Sequence, residues 1–245
     1  MLTRRLQTLS QDRDDDLQGP SWLGEVVHQF RENLADSEYP CNFGRTALKR
    51  GDMHLTWVDR DDPSSLPDDM RAFVETATAT PGTRQPLAVF VEPGPVTESG
   101  HEDRFWSMMR YLLDHDSRPW PEGAPQDPAD PAWEFCFHGE SIFVFALSPD
   151  NRLRRSRNLC DSLVLIFQLR SVFTGIEVGT QAGDVARQRI RTRLEQWDGI
   201  GRHPSMGAHD VSSDEEWRQY FFTDADESPA QCPLAGTAST TGGHS

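Results

Sequence analysis

Three short apolar runs set what this chain can fold into: Leu87-Ala88-Val89-Phe90-Val91, Ser141-Ile142-Phe143-Val144-Phe145-Ala146-Leu147 and Leu163-Val164-Leu165-Ile166-Phe167. Each is rich in branched and aromatic residues and has the length of a strand buried on both faces. A fourth run, Met53 to Val58, alternates like a strand. Helical spacing fills the stretches around them. Trp22 to Leu34 repeats apolar residues on one face, with Ser21 as the expected N-cap. Phe43 to Lys49 forms a short segment ending at Gly51, and Pro67 to Ala79 reads as a helix. Glu102 to His115 carries Phe105, Trp106, Met109, Leu112 and Leu113 on one stripe. Val185 to Trp197 reads as a helix with Arg187, Arg189, Arg191 and Arg193, and Glu215 to Phe222 as a last short one. The interleaving predicts an α+β fold: a single mixed α/β domain around a central sheet, whose strand order the sequence leaves open.

The ends are polar. Residues 1–20 contain the run Asp14-Asp15-Asp16 and close on Gly19-Pro20; residues 224–245 are rich in Ser, Thr, Gly, Pro and Ala. Both are expected to be disordered, leaving 21–223 as the folded domain. Residues 116–132 hold five prolines and read as a long connector of the packed or functional kind. The formal net charge of −15 argues against a broad basic face for nucleic acid. No apolar run approaches the roughly 20 residues needed to cross a bilayer, and Met1 to Arg5 lacks a signal-peptide core. The protein is accordingly read as cytoplasmic, with thiols rather than disulfides.

Chemistry-bearing residues gather in a few places. Cys41, in Pro40-Cys41-Asn42-Phe43-Gly44, directly precedes a helical segment, where backbone N–H groups and the helix dipole favour a thiolate. That setting suits a thiolate ligand to haem iron or a reactive cysteine; the plainer alternative is a small buried turn residue. Cys136 and His138 lie at the mouth of the 141–147 strand and would share a face if both were on a strand. They offer two soft ligands, with Cys41 or His54 as a third. Alternatively they are a core thiol and a hydrogen-bonded ring. Glu134 and Glu140 flank that pair and suit a guanidinium or ammonium group, or a salt bridge to nearby arginines. Arg152, Arg154, Arg155 and Arg157 form a basic knot in an acidic chain, which suits a propionate, phosphate or carboxylate, or else a charged surface turn. Arg170 closes the next strand and can reach the same place. Trp106, Trp120, Trp133 and Phe137 are candidates for a cofactor wall, although aromatic residues at helical spacing are more often plain core.

Several stretches, in this order, resemble the YqcI/YcgG family of bacterial proteins: Tyr39 to Gly44, Phe105-Trp106, Asp116 to Pro121, Trp133 to Glu140, Arg155 to Asn158, Phe167-Gln168 with Arg170, Trp217 to Tyr220, and Cys232-Pro233. They span most of residues 22–233. Leu169 departs from the family, which usually reads Pro after the Gln. Some members are haem-dependent oxygenases that hydroxylate guanidino nitrogens in natural-product pathways. The resemblance therefore implies a haem-binding domain and a haem b monooxygenase acting on a guanidino or amino nitrogen, most simply L-arginine to Nω-hydroxy-L-arginine. Guanidine-hydroxylating members lack a histidine at the position of His138 but keep the Pro-Cys, which puts Cys41 ahead of His138 as the iron ligand. Arg154, Arg155, Arg157 and Arg170 would then hold the cofactor, Glu134 or Glu140 the cationic substrate, and His138 would move protons. Oxygen or peroxide, a ferredoxin-type electron donor and a second copy of the chain are the partners this implies. Two rival expectations remain: a haem-binding sensor or carrier without turnover, and a haem-free metal or redox protein using Cys136, His138 and Cys41.

Overall fold

A computed structural model of the chain describes residues 6–11, 17–94, 100–173, 181–206 and 215–236. Its centre is a six-stranded mixed sheet in the order β1-β2-β3-β6-β5-β4. The strands are β1 (Gln7–Leu9), β2 (Met53–Val58), β3 (Leu87–Val91), β4 (Cys136–Phe137), β5 (Glu140–Leu147) and β6 (Val164–Leu169). Only β2 and β3 run parallel, and the helix α3 (Leu66–Thr78) makes the crossover between them. A parallel pair needs such a crossover, whereas β4 and β5 are joined by a two-residue turn.

Helices cover both faces. Val58, Leu87, Val89, Val144, Leu165 and Phe167 point into a core shared with α3 and α4 (Gly100–Asp114). Leu55, Trp57, Ala88, Phe90, Val164 and Ile166 point into a second core with α1 (Leu23–Ala35), α2 (Asn42–Arg50) and Trp197 of α5 (Gln181–Asp198). Burial on both faces is why β3 is apolar throughout and β6 is apolar at every position but Gln168. It also explains why β2 is buried at nearly every position although it alternates in sequence. Its inward polar residue is satisfied: the Thr56 hydroxyl donates to Asp69 Oδ2 on α3 at 2.7 Å.

Four expectations need correcting. Ser21 caps nothing: α1 starts at Leu23 with no side-chain cap, and the Leu23 N–H bonds the Pro20 carbonyl instead. The supposed N-terminal arm supplies the edge strand β1, paired antiparallel with β2. The supposed C-terminal tail packs as far as residue 236. Asp224 accepts the backbone N–H groups of Arg152, Leu153 and Arg154 at 2.8–2.9 Å, and Cys232 and Leu234 are buried in the first core. The stretch before β5 is itself a strand, so β4 and β5 form a hairpin. Residues 1–5 and 237–245 lie outside the described residues, as does the Arg187 side chain. No helix among the described residues is long and apolar enough to cross a membrane.

Candidate functional site

Cys41 is the N-cap of α2. Its Sγ accepts the Gly44 N–H at 3.4 Å, and the helix closes with Gly51 at φ 70°, a left-handed position that glycine takes without strain. Gly44 is needed for the close fit: a Cβ there would stand 3.2 Å from Leu34 of α1 and 3.6 Å from the sulfur. Three bonds hold the loop before Cys41. Tyr39 donates its hydroxyl to the Ser156 carbonyl at 3.0 Å. Arg193 of α5 donates to the Ser37 and Tyr39 carbonyls at 2.7 and 3.1 Å. Burial pushes the Cys41 thiol up from its ordinary value, and the Gly44 and Phe43 N–H groups and the Arg157 guanidinium work against that rise. Cys41 is therefore a thiol, beside groups that favour a sulfur carrying negative charge.

The sheet face on the Cys41 side changes character along β5 and β6. Register pairs Phe143 with Gln168 and Phe145 with Ile166, so these four share that face. Phe143 and Phe145 are only partly covered. Gln168 is 8% exposed, and its Nε2 has no hydrogen-bond partner. Phe173, just after β6, stands edge-on to both Phe143 and Phe43. Phe43 is in the first turn of α2, and the Arg84 guanidinium lies 4.4 Å over its ring. The result is a thiol, an unmet amide donor and four partly covered or neighbouring rings along one side of the sheet.

A buried charge network closes one end of this face. Glu134 carries an ion pair to Arg170 Nε at 3.0 Å and accepts the Ser141 hydroxyl. Arg170 also pairs with Glu216, whose side chain is fully buried, and its guanidinium covers Phe143. Glu216 accepts the Tyr220 hydroxyl at 2.6 Å, and that oxygen in turn accepts the Phe135 N–H at 3.1 Å. Two carboxylates share one guanidinium, and Glu134, a third exposed, keeps an accessible edge. That surplus of negative charge suits a cationic ligand group.

The family model described as YqcI/YcgG family matches residues 30–235. This chain belongs to the YqcI/YcgG family. Two relatives from Bacillus subtilis (strain 168) are the "Uncharacterized protein YcgG", 27% identical over 88% of this chain and 89% of its own, and the "Uncharacterized protein YqcI", 29% identical over 88% of each. A third, from Streptomyces lavendulae, is 29% identical over 93% of this chain and 89% of its own; it bears the name "Putative N(omega)-hydroxy-L-arginine synthase DcsA". No solved structure matches the chain.

In this YqcI/YcgG protein the expected site residues divide. Cys41, Glu134 and Arg170 come to one side of the sheet, where Gln168 joins them. His138 does not join them. It is not on a strand: with φ 55° it forms the β4–β5 turn together with Gly139 at φ 81°. Asp116 accepts its N–H at 2.8 Å, and its buried ring stands 3.6 Å from Glu75 of α3, the helix on the opposite face. Glu140 pairs in register with Phe137, whose side chain is in the α3/α4 core, so it too belongs to that other face. Cys136 pairs in register with Ser141 on the Cys41 side, and its thiol donates to the Glu134 carbonyl. Cys136, His138 and Cys41 therefore form no cluster. Among the described residues no three His, Cys, Asp or Glu side chains gather to hold a metal ion.

The basic knot is also corrected. Arg154 is buried and ties the C-terminal segment down through the Thr223 and Gly201 carbonyls and an ion pair with Asp226. Arg155 donates to the Trp197 carbonyl and lies over that indole. Arg157 faces the Cys41 side, wedged between the Phe145 and Phe222 rings at 4.8 and 4.6 Å. Burial pulls its guanidinium down to about 10. Trp106 and Trp133 are core, stacked with or tilted on Tyr220, and Trp120 stacks on Trp133. Arg45, Arg84 and Phe173 escaped the sequence reading. Isolated in polar or mixed surroundings, they carry no spacing signal; only the fold gathers them.

Proposed function

We propose that this protein is a haem-dependent monooxygenase that hydroxylates a guanidino or amino nitrogen, most simply converting L-arginine to Nω-hydroxy-L-arginine. The observation that carries the reading is Cys41 as N-cap of α2, on the same side of the sheet as Phe143, Phe145, Gln168 and the Glu134–Arg170 pair. A flat macrocycle with a metal centre fits that set. A single sulfur ligand is available, aromatic rings lie along the face, and an amide donor waits for an acceptor. When bound, haem b would supply the oxygen-activating chemistry: R–NH2, O2, two electrons from a ferredoxin-type donor and two protons give R–NHOH and water, with peroxide as the other oxidant.

The chain's own residues do the rest. Cys41 would hold the iron, giving up its proton on ligation; the Gly44 and Phe43 N–H groups and Arg157 support the resulting charge. Glu134 would receive the cationic group of the substrate, its carboxylate aimed by Arg170 and Ser141. Glu216 and Tyr220 hold Arg170 in place. The name of the Streptomyces lavendulae relative supports a guanidino substrate.

The test is the ultraviolet–visible spectrum of protein expressed with a haem precursor, ferric and then reduced under carbon monoxide. Cys41→Ala should lose the red-shifted thiolate–CO band, and His138→Ala should keep it. An unchanged spectrum in Cys41→Ala would falsify the ligand assignment. Absence of any Soret band in the parent protein would end the haem reading. Arginine added to the haem-loaded protein should perturb the Soret band, and turnover should yield a hydroxylated product by mass.

A further inference from the structure

Resting on that reading, we propose that Arg45 and Arg84 form a carboxylate-binding pair at the first turn of α2 and take the propionate edge of the haem. The expectation drawn from the sequence gave this work to Arg154, Arg155, Arg157 and Arg170; Arg154 and Arg155 are tied to the C-terminal segment and to Trp197, Arg157 lies between two rings, and Arg170 is paired with Glu134 and Glu216.

Arg45 lies one helical turn beyond Cys41; its N–H bonds the Cys41 carbonyl at 3.2 Å. Arg84 reaches the same turn from the segment before β3 and stacks on Phe43. Both side chains are half-buried, and the Nε of each is buried with no hydrogen-bond partner. Neither has an acidic partner among the described residues, whereas Arg71, Arg104, Arg154, Arg170 and Arg218 each have one. The chain carries 39 acidic residues against 24 basic ones, so carboxylates are plentiful. Two partly desolvated guanidiniums left without one are an unmet demand for anions.

The chemistry narrows that demand. A guanidinium fork matches a carboxylate in two parallel hydrogen bonds. The N-terminal turn of α2 adds positive potential at the same place. Gln168 supplies an independent sign of a ligand on this side: a side chain more than nine-tenths buried whose amide donor is unmet. A polyanion is disfavoured by the overall charge of −15. A ligand with an apolar aromatic body and two carboxylates answers the rings and the arginines together.

The experiment titrates haem-free protein with haem and with haem dimethyl ester, which lacks the charged oxygens. Binding is read from Soret absorbance and tryptophan quenching, without turnover. The parent protein should prefer the free diacid. Arg45→Ala/Arg84→Ala should bind the diacid about tenfold more weakly and lose the preference. The Arg45→Lys/Arg84→Lys protein should keep part of it, and thermal melting confirms that each variant is folded. A double Ala variant that binds the diacid like the parent, or that weakens toward both forms equally, overturns the pair. A parent protein that binds neither form overturns the haem reading itself, and the pair with it. Cofactor binding that ignores both arginines overturns the pair alone.

Discussion

The Tyr39 hydroxyl donates to the Ser156 carbonyl at 3.0 Å, across 117 residues of sequence. This bond holds the loop that presents Cys41 against the 3₁₀ turn Arg155–Arg157, and so brings Arg157 to the thiol. Asp198 braces the same turn by accepting the Ser156 N–H and hydroxyl at 2.7 and 2.8 Å. Tyr39→Phe should therefore cost about 1–2 kcal/mol, because it leaves a buried carbonyl unmet. Urea unfolding measures it; a loss within error would mean that Arg193 and Asp198 hold the loop alone.

Glu216 is the deepest charge in the molecule's acidic network. Glu216→Gln leaves Arg170 with Glu134 alone, and Glu216→Leu also strands the Tyr220 hydroxyl. Removing one partner of such a buried pair costs about 3–5 kcal/mol. The Leu variant should sit at the upper end in denaturant titration. Glu134→Gln, at a partly exposed carboxylate, should cost less than about 1 kcal/mol and should instead raise KM for a cationic substrate. A Glu134→Gln enzyme with unaltered KM would remove Glu134 from substrate binding.

His138 adopts a positive φ in a two-residue hairpin turn, a conformation that Asn and Gly take more readily. His138→Asn should fold with equal or higher thermal stability and keep the cofactor spectrum. Gly139→Val places a β-branched residue at φ 81° and should cost about 1–3 kcal/mol. Loss of cofactor in His138→Asn with the melting point preserved would return the ligand to His138.

Alkali should loosen the fold. Burial pushes Cys136 and Cys160 up to about 12 and Cys232 up to about 11, from an ordinary 9.0. Cys41 rises for the same reason. Above pH 9.0 the unfolded chain sheds thiol protons that the folded chain retains, so the unfolded state binds fewer protons and stability falls as pH rises toward the folded values. Arg157, lowered to about 10, works in the opposite direction, but it stands against the four thiols and the Tyr39 and Tyr220 phenols, which burial also raises. Under reducing conditions the urea midpoint should drop steadily from about pH 8 to about pH 11. A flat profile would mean that the thiols are solvated.

Much of the fold was legible because its signals are local. Leu87–Val91 is β3 residue for residue, and the apolar stripes of α1, α3 and α4 appear at their expected places. The β4–β5 hairpin was hidden because β4 has only two residues and its turn uses His138 rather than an Asn before Gly139. β1 was hidden because three residues at a sheet edge carry no period of their own. The site was half legible. Cys41 announced itself through Pro40 and the helix that follows, and Glu134 and Arg170 through their neighbours. Arg154 looked like an anion receptor because sequence shows a cation without showing Asp226, which neutralises it from 72 residues away.

The sequence by itself determined the class of fold, the family and the cysteine that opens α2, because hydrophobic period and short ordered motifs are properties of neighbouring residues. Only the tertiary structure decided which side of the sheet each reactive group faces. In a strand that assignment turns on the parity of the register, and a two-residue turn at His138-Gly139 is enough to set Glu134 and Cys136 on the Cys41 side and Glu140 on the other. It also decided which arginines are neutralised, as Arg154 is by Asp226, since a guanidinium's partners are acids brought from distant parts of the chain.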